Sequence, residues 1–136
     1  MGRHPHAFVM RPSPGGFHKT YKDFKHRFTT GEEIADLLMG LRHVLRDHGS
    51  LNRCFLTGFS PSDGTVLPAL DQFVRCLRPR RSYLLPSPSS GAACKRLNLY
   101  LRWMVRHDEV DPGGWKGVLP RHLVVPLDTH MQAIAR

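Results

Sequence analysis

The hydrophobic positions of the 136-residue chain fall mostly at helical spacing. The clearest stripe is Ile34, Leu37, Leu38, Leu41, Val44 and Leu45, which repeats at i, i+3, i+4 and i+7. Thr30-Gly31-Glu32-Glu33 ahead of it fits a capping box, and Gly49 stops it, so the pattern predicts a helix over 34–48. Ser50 is placed to cap a short helix that turns Leu51, Cys54 and Phe55 inward. After a turn at 60–64, Val66, Leu70, Phe73, Val74 and Leu77 predict another amphipathic helix, with Pro68 tolerated in its first turn and Pro79 closing it. A helix over about 92–106 buries Leu97, Leu101, Met104 and Val105 and leaves Arg96, Arg102 and Arg106 available to solvent. Asp111-Pro112-Gly113-Gly114 breaks the pattern, and Leu123-Val124-Val125 reads as a short extended run between prolines. Asp128 then stands at an N-cap position before a last helix that runs to the end of the chain.

No pair of strands with a hairpin turn is evident, so the expected class is all-α. Residues 1–20, rich in Pro, Gly and His, read as an N-terminal loop. Residues 21–136 read as one helical domain, with a short helix or turn at 21–28 whose aromatics at 21, 24 and 28 share a face. A Pro/Ser-rich basic loop spans 78–93. An eight-residue terminal helix is marginal alone, and the first twenty residues resemble a linker, so both ends of a larger helical domain are expected to be missing.

Charge sharpens this picture. The net charge is +9, but residues 75–106 alone hold Arg75, Arg78, Arg80, Arg81, Lys95, Arg96, Arg102 and Arg106 and no acidic residue. A basic surface so local is the footprint expected of a polyanion, most often nucleic acid, against a plain solvated face. Arg80-Arg81 in the Pro/Ser loop could clamp phosphate or lie in an exposed linker. Leu101-Arg102-Trp103-Met104-Val105-Arg106 with Trp115 could stack on an extruded base, but packing of both tryptophans in the core beside Met104 is the expectation.

No segment approaches the ~20 apolar residues of a membrane span, and no apolar leader opens the chain. Cys54, Cys76 and Cys94 are odd in number and widely spaced, which argues against a disulfide framework and for a reduced, cytoplasmic chain. The nine histidines show no short ligand spacing and Cys-x-x-Cys is absent, so no metal or other cofactor is expected.

A lysine near one helix start (Cys94-Lys95-Arg96-Leu97-Asn98) and an aspartate capping a later helix (Pro126-Leu127-Asp128-Thr129-His130) could meet across a groove. That pair suits cleavage of an N-glycosidic bond: the carboxylate stabilises the cationic sugar, and a desolvated lysine attacks C1′ and forms a Schiff base. The plainer alternative is an N-cap and a phosphate contact. These runs resemble the helix–hairpin–helix/Gly-Pro-Asp superfamily of base-excision DNA glycosylases. An uncharacterised bacterial family of that superfamily is the nearer likeness, through Tyr21 to Thr29, Gly49-Ser50-Leu51, Cys94 to Asn98, Leu101 to Arg106 and Pro126 to His130.

The resemblance spans residues 2–136 and implies a partial helix–hairpin–helix glycosylase-like domain. By position it makes Lys95 the catalytic lysine and Asp128 the catalytic aspartate. Their separation of 33 is nearer to archaeal 8-oxoguanine glycosylases than to endonuclease III-like enzymes, the insert being Arg106 to Leu119. The superfamily's Leu-Pro-Gly-x-Gly hairpin is replaced by Pro88-Ser89-Ser90-Gly91-Ala92-Ala93, and three cysteines are too few for an iron–sulfur cluster. The expected partner is double-stranded DNA, with Arg80, Arg81, Arg96, Arg102 and Arg106 contacting it. The rivals are a catalytically inert nucleic-acid-binding or scaffold helical domain and, on charge alone, an RNA-associated fragment.

Overall fold

The computed structural model describes residues 4–11, 16–77, 82–127 and 129–134. Its elements are helices α1 (Pro5–Met10) and α2 (Gly16–Tyr21), strands β1 (Lys25–His26) and β2 (Thr29–Thr30), and helices α3 (Gly31–His48), α4 (Leu51–Thr57), α5 (Leu67–Leu77), α6 (Lys95–Val105) and α7 (Thr129–Ile134). Single 3-10 turns at Pro61–Asp63, Pro88–Ser90 and Pro120–His122 punctuate the connections. The fold is mainly α.

α3 begins and ends as its sequence dictates. Thr30 Oγ1 accepts from Glu33 N (3.3 Å) while Glu33 Oε2 accepts from Thr30 N (3.0 Å), and Gly49 terminates the helix at φ 78°. Its buried residues are Gly31, Ala35, Gly40, Arg42 and Val44; Val44 is the fully buried member of the apolar stripe, and Ile34, Leu37, Leu38, Leu41 and Leu45 are half-buried. The reason is close approach: a Cβ on Gly40 would lie 1.9 Å from the Leu77 carbonyl oxygen, so α3 and α5 cross where α3 has no side chain. Ser50 caps α4 by accepting from Arg53 N (3.1 Å). All five apolar positions expected of the α5 segment are buried.

The core lies among α3, α4, α5 and α6. Its centre is aromatic: Phe55 packs edge-on to Phe73 with ring centroids 5.7 Å apart, and Trp115 meets Phe55, Phe73 and Tyr100. Trp115 reaches that position because the chain after α6 doubles back, with Gly113 N donating to Trp103 O (2.8 Å) and Trp115 N to Met104 O (2.9 Å). Trp103 does not share the core position expected of it; it is 47% exposed, on the outer side of α6. Leu123 and Val124 pack against the core, as an apolar run should, while Val125 is exposed.

Two expectations for the N-terminal region are corrected. Residues 5–10 and 16–21 are helical, not loop. Arg42 on α3 is buried and donates from Nε to Val9 O (2.8 Å) and from a terminal nitrogen to Arg11 O, so it satisfies carbonyls left over at the end of α1. Its guanidinium also sits 4.9 Å from the centre of the Phe17 ring, and Phe17 packs on Phe8 at 5.6 Å. Residues 21–28 do not present three aromatics on one helical face. Tyr21 ends α2, and a two-residue turn, Arg27-Phe28, joins two short antiparallel strands paired Lys25 to Thr30 and His26 to Thr29. Arg27 takes φ 55°, a conformation usually given to glycine or asparagine, which is why no turn motif marks this hairpin in the sequence.

Candidate nucleic-acid interface

The acid-free segment 75–106 becomes the end of α5, the Pro/Ser connection and α6. Two carboxylates from outside it fasten the connection down. Glu33 Oε1 accepts from Ser82 Oγ (3.0 Å) and from Tyr83 N (2.9 Å), while its other oxygen serves the α3 cap. Asp71 on α5 accepts from Ser87 Oγ and from Ser89 N (3.1 Å) and pairs with Arg75 at 2.7 Å. These bonds hold both acids in their charged form. The Thr30 amide, then Ser82 and Tyr83, lowers the Glu33 pKa, and Ser87 and Ser89, ahead of Arg75, bring Asp71 down to about 2.

With the acids so engaged, the outward side of the connection is a groove of about 700 Å³ lined by Ser82, Tyr83, Ser87, Ser89, Lys95 and Arg96, among others. It opens beside the start of α6. Cys94 occupies the N-cap there at φ 48° and gives the first-turn amides no side-chain bond; its thiol donates instead to Pro86 O (3.3 Å). Asn98, buried in the second turn, donates to Ala93 O and Cys94 O, both at 3.2 Å, and so locks the entry to the helix.

A second cavity, of about 550 Å³, lies along the stripe Asn98, Arg102 and Arg106 and is closed by the segment 120–126. Arg102 and Arg106 are exposed here, as expected, but they are also ion-paired. Asp111 is fully buried, and its Oδ2 meets Arg102 Nε at 3.1 Å and Arg106 Nε at 3.4 Å. Arg106 also pairs with Asp108 at 2.9 Å. Asp108 Oδ1 in turn accepts from the amides of Val110 and Asp111, which lower its pKa more than the arginine does. Both arginines remain nearly half exposed, but each holds the fold-back after α6 in place.

A family comparison locates the whole chain. It belongs to the DUF2400 family. The family model, described as a protein of unknown function, matches residues 1–136. No curated protein and no solved structure matches the chain.

Against this family chain, the sequence-derived site divides into three. Lys95 and Arg96 come together on the first groove, and both are exposed. Arg102 and Arg106 line the second cavity, bound to Asp111. Asp128, Arg80 and Arg81 lie outside the described residues. Sequence reading missed Tyr83, Phe28, Asp111 and the second task of Glu33. The capping box announced Glu33, but nothing local could show that its other oxygen reaches residues 49 and 50 positions downstream. Among the described residues no helix is long and apolar enough to cross a membrane, and Cys54, Cys76 and Cys94 are free thiols.

Proposed function

We propose that the chain is a DNA-binding protein of the base-excision glycosylase type, with Lys95 and Asp128 carrying N-glycosidic cleavage and a lyase step. The observation that carries the binding half is the groove at the start of α6. There Lys95 and Arg96, from a segment that carries no acidic residue, meet a row of serine hydroxyls, while Glu33 and Asp71 beside it are engaged in hydrogen bonds. The catalytic half rests on the resemblance of the Cys94–Asn98 and Pro126–His130 runs, with Lys95 lining that groove and Asp128 outside the described residues.

In the chemistry so assigned, the Asp128 carboxylate stabilises positive charge on the sugar as the C1′–base bond breaks and its electron pair leaves with the base. The Lys95 amine lone pair forms the new bond to C1′ and its nitrogen gives up a proton; the C1′–O4′ bond then breaks with its electron pair going to O4′, which takes a proton. The iminium left is reduced by hydride or loses a C2′ proton and expels the 3′-phosphate, the lyase step.

The exposure of Lys95 favours a second reading, a catalytically inert nucleic-acid-binding or scaffold domain in which Asp128 only caps α7. One experiment separates them: incubation with duplex DNA carrying an abasic site in the presence of borohydride. The first reading expects a covalent adduct that disappears in Lys95→Ala, and base release from a damaged duplex that disappears in Asp128→Asn. Salt-dependent binding with no adduct and no base release leaves the inert binder. Absence of DNA binding at any salt concentration overturns both.

A further inference from the structure

The side chains least explained by folding are two aromatics that the sequence sets 55 residues apart. Phe28, at the tip of the β1–β2 turn, is 72% exposed; Tyr83, in the Pro/Ser connection, is 57% exposed; their ring centroids are 5.3 Å apart. Neither contributes to the core. Both backbones are nonetheless fixed. The His26–Thr29 pairing closes the turn that carries Phe28, and the Tyr83 amide donates to Glu33, the same residue that caps the helix following β2. A single carboxylate thus sets the hairpin and the connection against each other and leaves two rings standing in water.

The surroundings select what could cover them. The Arg96 guanidinium lies 6.0 Å from the centre of the Tyr83 ring, and Tyr83 lines the same groove as Lys95 and Arg96. On the other side, Lys25, His26 and Arg27 are all exposed on the hairpin. Of the acids near these elements among the described residues, Glu33 and Asp71 are held by serine hydroxyls and backbone amides, and Asp23 faces Lys22 at 4.0 Å. An apolar peptide would gain little from such a rim. A polyanion with flat apolar faces gains on both counts, through phosphate on the cations and base faces on the rings. The rings are inclined at 59°, so they form no parallel slot for a base pair; they offer ring surface to a base whose own face is uncovered, which a stacked duplex does not have.

We propose that Phe28 and Tyr83 form a stacking platform for an unpaired nucleobase, with the phosphates of that single strand held by Arg96 and by the cations of the β1–β2 hairpin. The proposal rests on the nucleic-acid half of the function given above and is independent of any chemistry at Lys95.

The test uses the full chain and three oligonucleotides: a single strand, the same strand with one 2-aminopurine, and the blunt duplex. Binding of the parent protein to the single strand is expected to quench the aminopurine. Phe28→Ala and Tyr83→Ala are each expected to weaken single-strand binding by about 5- to 150-fold, the range for loss of one base–aromatic stack. The salt dependence should stay unchanged, because no phosphate contact is removed. Tyr83→Phe, which keeps the ring, should bind as the parent does, and blunt-duplex affinity should not move in any variant. Circular dichroism confirms that the variants are folded, as expected for side chains outside the core. Single-strand binding that survives both alanine variants, or losses that are equal on single strand and duplex, would overturn the platform and leave the DNA-binding reading standing. Absence of binding to all three oligonucleotides overturns both.

Discussion

Asp111→Asn is the substitution whose consequences follow most directly from the structure. The carboxylate has no exposed surface, and its Oδ2 lies 3.1 Å from Arg102 Nε and 3.4 Å from Arg106 Nε. Removing one member of a buried ion pair commonly costs about 3–5 kcal/mol, because the other charge is left buried. Here the surviving charges belong to arginines that are 46% and 43% exposed, so they can rehydrate once the carboxylate is gone. The amide keeps one oxygen that can accept from a single guanidinium, a bond worth about 1.5–3 kcal/mol when one partner is charged. The expected loss is therefore about 2 kcal/mol. With a urea dependence of about 1.5 kcal/mol/M for a domain of this size, the unfolding midpoint should fall by about 1.3 M with the slope unchanged. The readout is far-ultraviolet circular dichroism across a urea series, repeated for Arg102→Ala and for the double variant. A double-mutant cycle should return a coupling of at least about 1 kcal/mol between positions 102 and 111. An Asp111→Asn midpoint within about 0.3 M of the parent, or strictly additive effects of the two substitutions, would refute the reasoning. The fold-back after α6 would then be held without Asp111, by its backbone bonds, by Trp115 and by the Asn52 bonds to Lys116.

Other consequences can be checked with less effort. Gly40→Ala places a methyl 1.9 Å from the Leu77 carbonyl oxygen and should cost at least ~3 kcal/mol in the same urea assay, whereas alanine at Gly64, where the added Cβ meets nothing, should cost only the strain of its φ of 75°. The bonds to Ser87 and Ser89 bring the Asp71 pKa from the ordinary 3.8 to about 2, so the anchoring of the Pro/Ser connection is complete above about pH 4 and is lost as the pH falls towards 2; Asp71→Asn should remove this acid limb from a thermal-stability profile. Burial, with Cys76 close by, pushes the Cys54 thiol up to about 12, so brief iodoacetamide treatment of the native chain should label exposed Cys76 and spare Cys54 and Cys94, with all three labelled in denaturant, as read by mass spectrometry. Arg96→Ala should weaken DNA binding evenly across sequences and reduce the salt slope by about 1, the signature of one phosphate contact.

How far the fold is legible in the sequence depends on whether the deciding interactions are local. The α3 capping box, the Ser50 cap, the Gly49 stop and the five buried positions around α5 are readable because each is settled within four residues or one helical period. The register of burial on α3 is not, because the contact that decides it, Gly40 against Leu77, joins elements 37 residues apart and favours the absence of a side chain over the presence of leucine. The N-terminal helices fail for the same reason. A six-residue helix has little stability of its own, and α1 is held by a buried arginine that sits more than thirty positions away in the chain.

The candidate site shows the same division more sharply, and charge is where it matters most. Composition located the basic segment but treated its arginines as equivalent. The fold separates them by the acids that reach them: Arg102 and Arg106 meet Asp111 and Asp108, which follow α6 within a few residues, whereas Arg96 meets an aromatic ring. An arginine held by a buried carboxylate gives up that bond before it can bind a phosphate through the same nitrogen, while one resting on an exposed tyrosine gives up far less. Among the described residues the basic segment therefore presents two surfaces. Arg102 and Arg106 spend their charge on closing the chain over the core, whereas Lys95 and Arg96 are exposed beside the aromatic pair that Glu33 holds in place.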